Sequence, residues 1–378
     1  MRIYFDNAAT TALSEGVWHR MCEVLKNDFG NPSSIHHFGR VSRSIIEDAR
    51  KKVAKSIGAG IGEIFFTSSA TEANNTILQR SVVDLGVKRF ISSPTEHHCV
   101  LHTLQHIQKE NADIEIIWLN VNRQGQIDLS ELQSLLSNGS SKTMVSLMYG
   151  NNEIGTIHDI EKVGNLCQTY GAYLHCDAVQ MIGKYPVDVQ LLKVSFLTGT
   201  AHKFHGPKGS GFFFMNNDNI IHPFIYGGSQ ERNMRAGTEN VAGIAGLAQA
   251  IVEAHETMDE RKSHIQKLKE RFEEKLISEV DDVIFNHAEG EACMYHISSV
   301  SFAASPMADM LMFNLDIEGI AASSGSACSA GIAEDSHVLT AIGHPSGRKT
   351  VRFSFSKYNT AEEVDIVVNK IKKLMTPK

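Results

Sequence analysis

A lysine with a histidine before it and a glycine–proline turn after it, His202-Lys203-Phe204-His205-Gly206-Pro207, lies between two apolar runs, Val194–Leu197 and Phe212–Phe214. A lysine amine held in a pocket that lowers its pKa becomes a nucleophile and forms Schiff bases with carbonyl compounds. Read plainly, the same stretch is a hairpin loop with two exposed lysines, Lys203 and Lys208, since surface lysines are common. A second candidate nucleophile lies far along the chain. The run Ser323–Gly331, SSGSACSAG, is small and polar and carries one cysteine, Cys328. Such a loop is expected to be mobile and its thiol accessible. The thiolate is the reactive form of cysteine, and accessibility with nearby positive charge marks the reactive ones. A cysteine that merely falls in a loop fits the same residues.

Further polar clusters follow apolar runs. After Ile64–Phe66 comes Thr67–Glu72, TSSATE, which opens a helix-like stretch. Hydroxyls and free backbone N–H groups at a helix start suit a phosphate. They also suit an ordinary cap, with Glu72 completing a capping box. After Tyr173–Cys176 comes Asp177-Ala178-Val179-Gln180. An aspartate closing a buried strand can hold a pyridinium nitrogen in its protonated state, or it can cap a helix. Ile91 is followed by SSPTEHH, ending at His97 and His98, and Met148 by Tyr149-Gly150-Asn151-Asn152-Glu153. Together these supply a phosphate site, an aromatic ring at a strand end, an amide, an acid and an amine, the set of groups that pyridoxal phosphate needs. His97-His98-Cys99 and His202-x-x-His205 lack a second half at zinc-like spacing, so no metal site is expected. No GxGxxG follows the first strand and no Walker A sequence occurs, which argues against a nucleotide fold.

The elements that must position these groups follow a regular pattern. From about Glu63, short apolar runs alternate with helical stretches: Ile64–Phe66, Phe90–Ile91, Ile114–Leu119, Met144–Met148 and Tyr173–Cys176 read as strands. Leu129–Leu136, capped by Asp128, and Ile160–Tyr170, stopped by Gly171, read as helices. The alternation predicts a mostly parallel sheet covered on both faces, with ligands beyond the carboxyl ends of its strands. After about Glu239 the character changes. Val241–His255 is a long small-residue helix, and Asp259–Val280 carries Ile265, Leu268, Phe272 and Leu276 near a 3.6 period. Strands at Ile297–Phe302 and Val351–Phe355 and helices at Met307–Leu315, Val338–Ile342 and Ala361–Met375 complete an α+β unit. The expected division is a large unit over 15–255 and a smaller one formed by 1–14 with 256–378.

With 378 residues, 42% hydrophobic and 21% charged, the chain has the composition of a soluble globular protein of two or three domains. A net charge of −7 with no basic cluster makes nucleic acid an unexpected partner. No apolar run is long enough to span a membrane, and the opening residues lack the features of a signal peptide. The six cysteines, Cys22, Cys99, Cys167, Cys176, Cys293 and Cys328, are scattered and form no CxxC. They read as free thiols of a reducing compartment, the cytoplasm.

Ten stretches, in order and nearly end to end, match one family. They are YFDNAATT at Tyr4–Thr11, GNPSSIH at Gly30–His36, SSATEANN at Ser68–Asn75, TEHHCVL at Thr95–Leu101 and NNEIGT at Asn151–Thr156. They continue with HCDAVQ at His175–Gln180, AHKFHGPKGSG at Ala201–Gly211, GGSQERNMRAGTEN at Gly227–Asn240, SSGSAC at Ser323–Cys328 and VRFSFS at Val351–Ser356. On these the chain resembles the group I (NifS/IscS-like) cysteine desulfurases, pyridoxal phosphate enzymes of the class V aminotransferase family. The resemblance implies an α/β fold of the fold-type I PLP-dependent transferases: a large domain with a mostly parallel sheet plus a smaller α+β C-terminal domain. It implies that Lys203 carries the Schiff base and the Cα proton, that His97 stacks on the cofactor ring, and that Asp177 pairs with the ring nitrogen. Gln180 and Asn152 resemble the partners of the phenolic oxygen. Ala70, Thr71, Thr200 and His202 resemble the phosphate cradle, which Thr238 would complete across a homodimer interface. Arg352 and Asn31 resemble the clamp on the substrate carboxylate, a role an arginine fork suits. Cys328 resembles the nucleophile that takes sulfur from L-cysteine, leaving a persulfide and releasing L-alanine. The implied use is sulfur supply for iron–sulfur clusters or tRNA thiolation, through a scaffold or other sulfur-acceptor protein. A selenocysteine lyase, another class V aminotransferase-type enzyme and an inactive sulfur-carrier or assembly partner are the alternatives. The chain departs from the usual pattern with Thr200 where serine is frequent, Asn233 where glycine is common and Asp335 in place of a common proline.

Overall fold

The computed structural model describes residues 2–139, 141–324 and 336–376. Cys328 and Asp335 lie outside the described residues. The strands are β1 (Ile3–Tyr4), β2 (Ile64–Thr67), β3 (Arg89–Ser92), β4 (Glu115–Trp118), β5 (Thr143–Met148) and β6 (Tyr173–Asp177). They continue with β7 (Phe196–Thr200), β8 (Gly211–Met215), β9 (Val283–Phe285), β10 (Ile297–Phe302), β11 (Ile320–Ala321) and β12 (Lys349–Ser354). The helices that carry or brace the site are α1 (Glu15–Asn27), α2 (His37–Ser56), α3 (Ala70–Asp84), α4 (His98–Glu110) and α5 (Leu129–Ser137). The others are α6 (Ile160–Tyr170), α7 (Val189–Leu192), α8 (Val241–Glu256) and α9 (Met258–Glu279).

A seven-stranded sheet in the order β2-β8-β7-β6-β5-β3-β4 forms the centre. Only β8 runs against its neighbours, β2 and β7; the remaining pairs are parallel. Successive residues of a strand face opposite sides, and here both sides are covered. Phe66, Leu197, Phe212 and Phe214 pack with Val53, Val163, Leu247 and Ile251 of α2, α6 and α8. Phe65, Phe90, Phe196 and Phe213 pack instead with Ile77, Leu78, Leu104 and Ile107 of α3 and α4. That double cover is why these strands read as unbroken apolar runs. Each fully buried phenylalanine contributes roughly 1.5–3 kcal/mol by leaving water. This is the mixed, mostly parallel α/β architecture expected from the sequence.

Local signals held at the helix ends. Asp128 caps α5 by accepting from Ser130 N and Glu131 N at 2.8 and 3.2 Å. Gly171 ends α6 at φ 67°, a left-handed conformation that suits glycine. Beyond Thr257, where α8 gives way to α9, a second core begins. Ile265, Leu268, Phe272 and Leu276 of α9 pack with Val300, Phe353, Val364 and Val368, and with Ile3 and Phe5 from the chain's start. β1 pairs in parallel with β11, placing Ile3 opposite Ile320, while β12, β10 and β9 form an antiparallel sheet. The expected helix Met307–Leu315 is instead two short helices, Pro306–Asp309 and Leu311–Ile317, interrupted at Met310. Ala308, Leu311 and Leu315 are the buried positions, so the apolar spacing continues across the break and conceals it. Among the described residues, no helix is long and apolar enough to cross a membrane.

Candidate active site

The carboxyl ends of β3, β5, β6 and β7 open into a cavity of about 310 Å3 lined by Ala70, Thr71, His97, Asn152, Asp177, Gln180, Thr200, His202, Lys203 and Arg352. These groups come from positions up to 282 residues apart (352 − 70). The topology brings them together because parallel strands all release their chain at one edge of the sheet.

Lys203 sits in the connection from β7 to β8, half-buried and lining the cavity, while Lys208 of the same connection is exposed. Its Nζ donates to the carbonyls of Ala8 and Ala9 at 2.7 and 2.8 Å. The YFDNAATT stretch clasps this connection. Thr11 N donates to His202 O at 2.9 Å, Ser14 N to His205 O at 3.1 Å, and His205 N to Thr11 Oγ1 at 2.7 Å. His205 needs that clasp, because it is held at φ 69°, where a side chain with a Cβ is strained.

The start of α3 forms one end of the cavity. Ser69 caps it by accepting from Glu72 N at 3.2 Å. Glu72 reaches back to Ser68 N and Oγ at 3.0 and 2.6 Å and pairs with Arg235 at 2.9 Å. Burial pushes the Glu72 carboxyl up, but the hydrogen bonds from Arg235 and Ser68 together hold it below the usual range. Capping leaves the first N–H groups of the helix, those of Ala70 and Thr71, without intrahelical acceptors. Both residues line the cavity. β8 runs so close behind this turn that a Cβ on Gly211 would lie 2.8 Å from the Ser69 carbonyl carbon. The glycine therefore lets the hairpin bring Thr200 and His202 to the same end. Burial, then Lys203, Lys208 and Lys184, push His202 down to about 3, so its imidazole is neutral.

Asp177 ends β6 with its carboxylate fixed. Oδ2 accepts from Asn74 Nδ2 at 2.8 Å and Oδ1 from Val179 N at 3.1 Å. Asn74 is itself held: its Oδ1 accepts from Thr198 Oγ1 at 2.6 Å and lies 3.0 Å from His175 Nε2. His175 Nδ1 lies 2.8 Å from Ser146 Oγ. Burial pushes His175 down to about 4, against the pull of Asp177, so a neutral ring completes the network. His97 caps α4, its Nδ1 accepting from Cys99 N at 3.2 Å. Its pKa is lowered by burial, opposed by Asp177 and assisted by Lys203. Gln180 Nε2 donates to Ala8 O at 3.0 Å, beside the Lys203 contact.

Arg352 of β12 forms the opposite wall. Nη1 donates to Asn152 O at 2.8 Å and Nη2 to Asp6 Oδ1 at 2.9 Å, while Nε is buried without a partner among the described residues. Its backbone exchanges hydrogen bonds with Ser323, N to O at 2.7 Å and O to N at 3.2 Å. The described chain resumes at Ser336, whose Oγ donates to Glu153 Oε2 at 2.5 Å. Next to it, His337 lines the cavity and its Nε2 lies 2.8 Å from Glu96 O. The two ends of the segment that contains Cys328 are thus both tied to the pocket wall.

Two expected site residues stand apart. Asn31 is exposed and spends its Oδ1 on Ser33 N at 2.9 Å. Thr238 is exposed, in the connection before α8. Neither lines the cavity of this chain. Tyr149 packs against the main core, whereas His97, His98, His202 and His337 line the cavity. Sequence reasoning passed over Asn74, although it lies in a quoted motif, and Asn151. The latter shapes the turn of Asn152 by accepting from Glu153 N and Ile154 N at 2.8 and 3.0 Å while donating to Thr95 O at 2.9 Å. It also passed over His98, Cys99 and His337 as lining residues. Among the described residues no group of His, Cys, Asp and Glu has the arrangement of a metal site.

The model of the family described as aminotransferase class-V matches residues 3–367. A cysteine desulfurase IscS of Dictyoglomus turgidum is 41% identical over 377 residues, covering 99% of this chain and 94% of that protein. A solved structure described as a NifS-like protein superposes with a TM-score of 0.91 at 35% identity, covering 99% of both chains. Another, described as SspA in complex with cysteine, superposes with a TM-score of 0.82 at 28% identity over 95% of this chain and all of that one. With a match that spans almost its whole length, the chain belongs to the class-V aminotransferase family.

Proposed function

We propose that the protein is a cysteine desulfurase: it carries pyridoxal phosphate, takes sulfur from L-cysteine, releases L-alanine and holds the sulfur as a persulfide on Cys328. The observation that carries this reading is the meeting of Lys203, Asp177 and His97 with the open start of α3 around one cavity. The donor set fits the cofactor. Helix-start N–H groups with Thr200 and His202 suit a phosphate. A carboxylate held by two N–H donors suits a pyridinium nitrogen, and an amine suits an aldehyde. Likeness to a desulfurase at 41% identity and to a structure described with cysteine supports the substrate.

When bound, pyridoxal phosphate supplies an aldehyde for the amine and a ring that takes up the electron pair released at Cα. The chain does the rest. Asp177, fixed by Asn74, would keep the ring nitrogen protonated, and His97 would hold the ring from its face. Gln180 and Asn152, which line the cavity, would hold the phenolic oxygen. The Arg352 guanidinium would hold the substrate carboxylate; Asn31, expected in the same clamp, does not line the cavity of this chain. Lys203 Nζ takes the Cα proton and returns a proton as alanine forms. The Cys328 thiolate attacks the substrate sulfur; the S–S bond forms as the C–S bond breaks.

Homodimerisation belongs to the same reading, with Thr238 of each subunit completing the phosphate cradle of the other. So do the division into 15–255 and 1–14 with 256–378, a cytoplasmic setting, and delivery of sulfur to a scaffold or other acceptor for iron–sulfur clusters or tRNA thiolation. The test is to incubate purified protein with L-cysteine and quantify alanine and sulfur together. Equimolar alanine and persulfide or sulfide, with one extra sulfur on the Cys328 peptide, are expected. Alanine without sulfur on Cys328, or turnover of selenocysteine alone, would move the assignment to a lyase.

A further inference from the structure

Away from the pocket, α9, the connection after β9 and the segment before β10 bring together a second set of reactive groups: Lys269, Glu273, His287 and Cys293. Lys269 is buried, and its Nζ lies 2.8 Å from Cys293 Sγ, 2.9 Å from Met294 O and 3.7 Å from Glu273 Oε1. His287 places Nδ1 2.8 Å from Ala288 O and Nε2 2.9 Å from Glu273 Oε1. A carbonyl and a carboxylate only accept. Both ring nitrogens therefore carry protons, and the ring is a cation. Lys269 and His287 then bring two positive charges against the single negative charge of Glu273. A thiolate on Cys293 brings the cluster to neutrality, and a partly buried cluster of charges favours that balance.

We propose that Cys293 is a second, non-catalytic thiolate, held by Lys269 and His287, and a site that hydroperoxides oxidise. The residue is only half-buried, which leaves a small peroxide a short path to the thiol. Burial raises this thiol, but His287 and Lys269 outweigh it and bring the group below its ordinary range. His287 is raised to about 9, because the neighbouring Cys293 and Glu273 outweigh its own burial. The other half-buried or buried thiols with resolved shifts go the opposite way: Cys99 and Cys167 are pushed up to about 12 by burial. In the proposed step the Cys293 sulfur attacks the terminal oxygen of hydrogen peroxide. The S–O bond forms, the O–O bond breaks, and the hydroxyl proton passes to the departing oxygen. The products are a sulfenate anion and water; sulfur is oxidised by two electrons and the peroxide reduced by two. The sulfenate keeps the negative charge that Lys269 and His287 require. Cys293 also faces Thr156 in a β-bridge, and Met294 N donates to Gly155 O at 2.7 Å. The site is therefore stitched to the turn that carries Asn152 and Glu153.

The experiment treats the full-length protein with hydrogen peroxide in the presence of dimedone, which traps sulfenates, and reads each cysteine peptide by mass spectrometry. Cys293 should label about tenfold faster than Cys22, a half-buried thiol without such partners. Labelling of Cys293 no faster than of Cys22 overturns the proposal. Lys269→Met and His287→Gln should each slow it about tenfold, and Lys269→Arg, which keeps the cation, should not. Equal rates in Lys269→Met and wild type would also overturn it. Should those variants fold poorly, wild-type alkylation by iodoacetamide decides. The charged groups facing the sulfur are Lys269 and Glu273 from α9 and His287 from the connection after β9; Thr156 opposite brings no charge. Between pH 8 and 6.5 the Cys293 rate should fall less steeply than that of free cysteine, which falls about twentyfold. A parallel fall rejects the thiolate.

Discussion

The two walls of the pocket are built in different ways. The wall of β6, β7 and α3 is closed and satisfied: Asp177, Asn74, Thr198, His175 and Ser146 form one chain of hydrogen bonds with every member fixed by a neighbour. The wall of Arg352, Glu153 and His337 is open. Arg352 Nε, Glu96 Oε2 and His98 Nδ1 are buried polar atoms without partners among the described residues. An unmet buried donor costs about 1–3 kcal/mol, so such atoms persist where a partner arrives later. One wall suits a resident group held rigidly. The other suits a substrate and a cysteine that come and go.

That contrast is tested most severely at Lys203, which lines the same cavity. Lys203→Ala should abolish turnover, a loss of at least about ten-thousandfold or roughly 5 kcal/mol of transition-state stabilisation. The cofactor should remain bound through the contacts of the closed wall. Apoprotein that no longer retains pyridoxal phosphate, measured by absorbance after gel filtration, would show that the closed wall does not hold it alone. Cys328→Ala should come next, with alanine production down about a thousandfold, near 4 kcal/mol. Binding of L-cysteine should survive, because Arg352 is untouched; a wild-type rate would remove Cys328 from the reaction.

The Asn74 network shows what a sequence can and cannot display. The strands were legible because double cover writes each one as an apolar run, and Lys203 and Asp177 were legible because their chemistry stands out at strand ends. Asn74 was not, since an asparagine on a helix becomes informative only when α3 is seen crossing β6 and β7. The roles of Thr238 and Asn31 were suggested by resemblance alone, and a single chain places neither in its own cavity. Asn74→Ala should leave Asp177 Oδ2, His175 Nε2 and Thr198 Oγ1 short of partners together. Turnover should fall about tenfold to a hundredfold, with weaker cofactor retention measured by dialysis. An unchanged cofactor dissociation rate would show that Val179 N alone positions the acid.

Glu153 gives an effect on stability and not on turnover, and the one specific to the open wall. Its residue is 5% exposed, and burial raises the carboxyl from 4.5 to about 7, more than Ser336 and Arg352 lower it. Between those two values the folded protein binds a proton that the unfolded chain does not. The contribution of Glu153 to stability therefore falls as pH rises through this window and levels off above it, a change of roughly 3 kcal/mol. Glutamine is neutral throughout and can still accept from Ser336. Glu153→Gln should match wild type near pH 4.5 and exceed it at pH 8, read as a widening difference between the two melting midpoints. Glu96 is raised by burial too, but it is present in both proteins and cancels in the difference. Parallel midpoints across the window would mean that Glu153 is already ionised in the fold. The open wall would then hold a charged Glu153 near Arg352, which already pairs with Asp6, in place of a protonated acid.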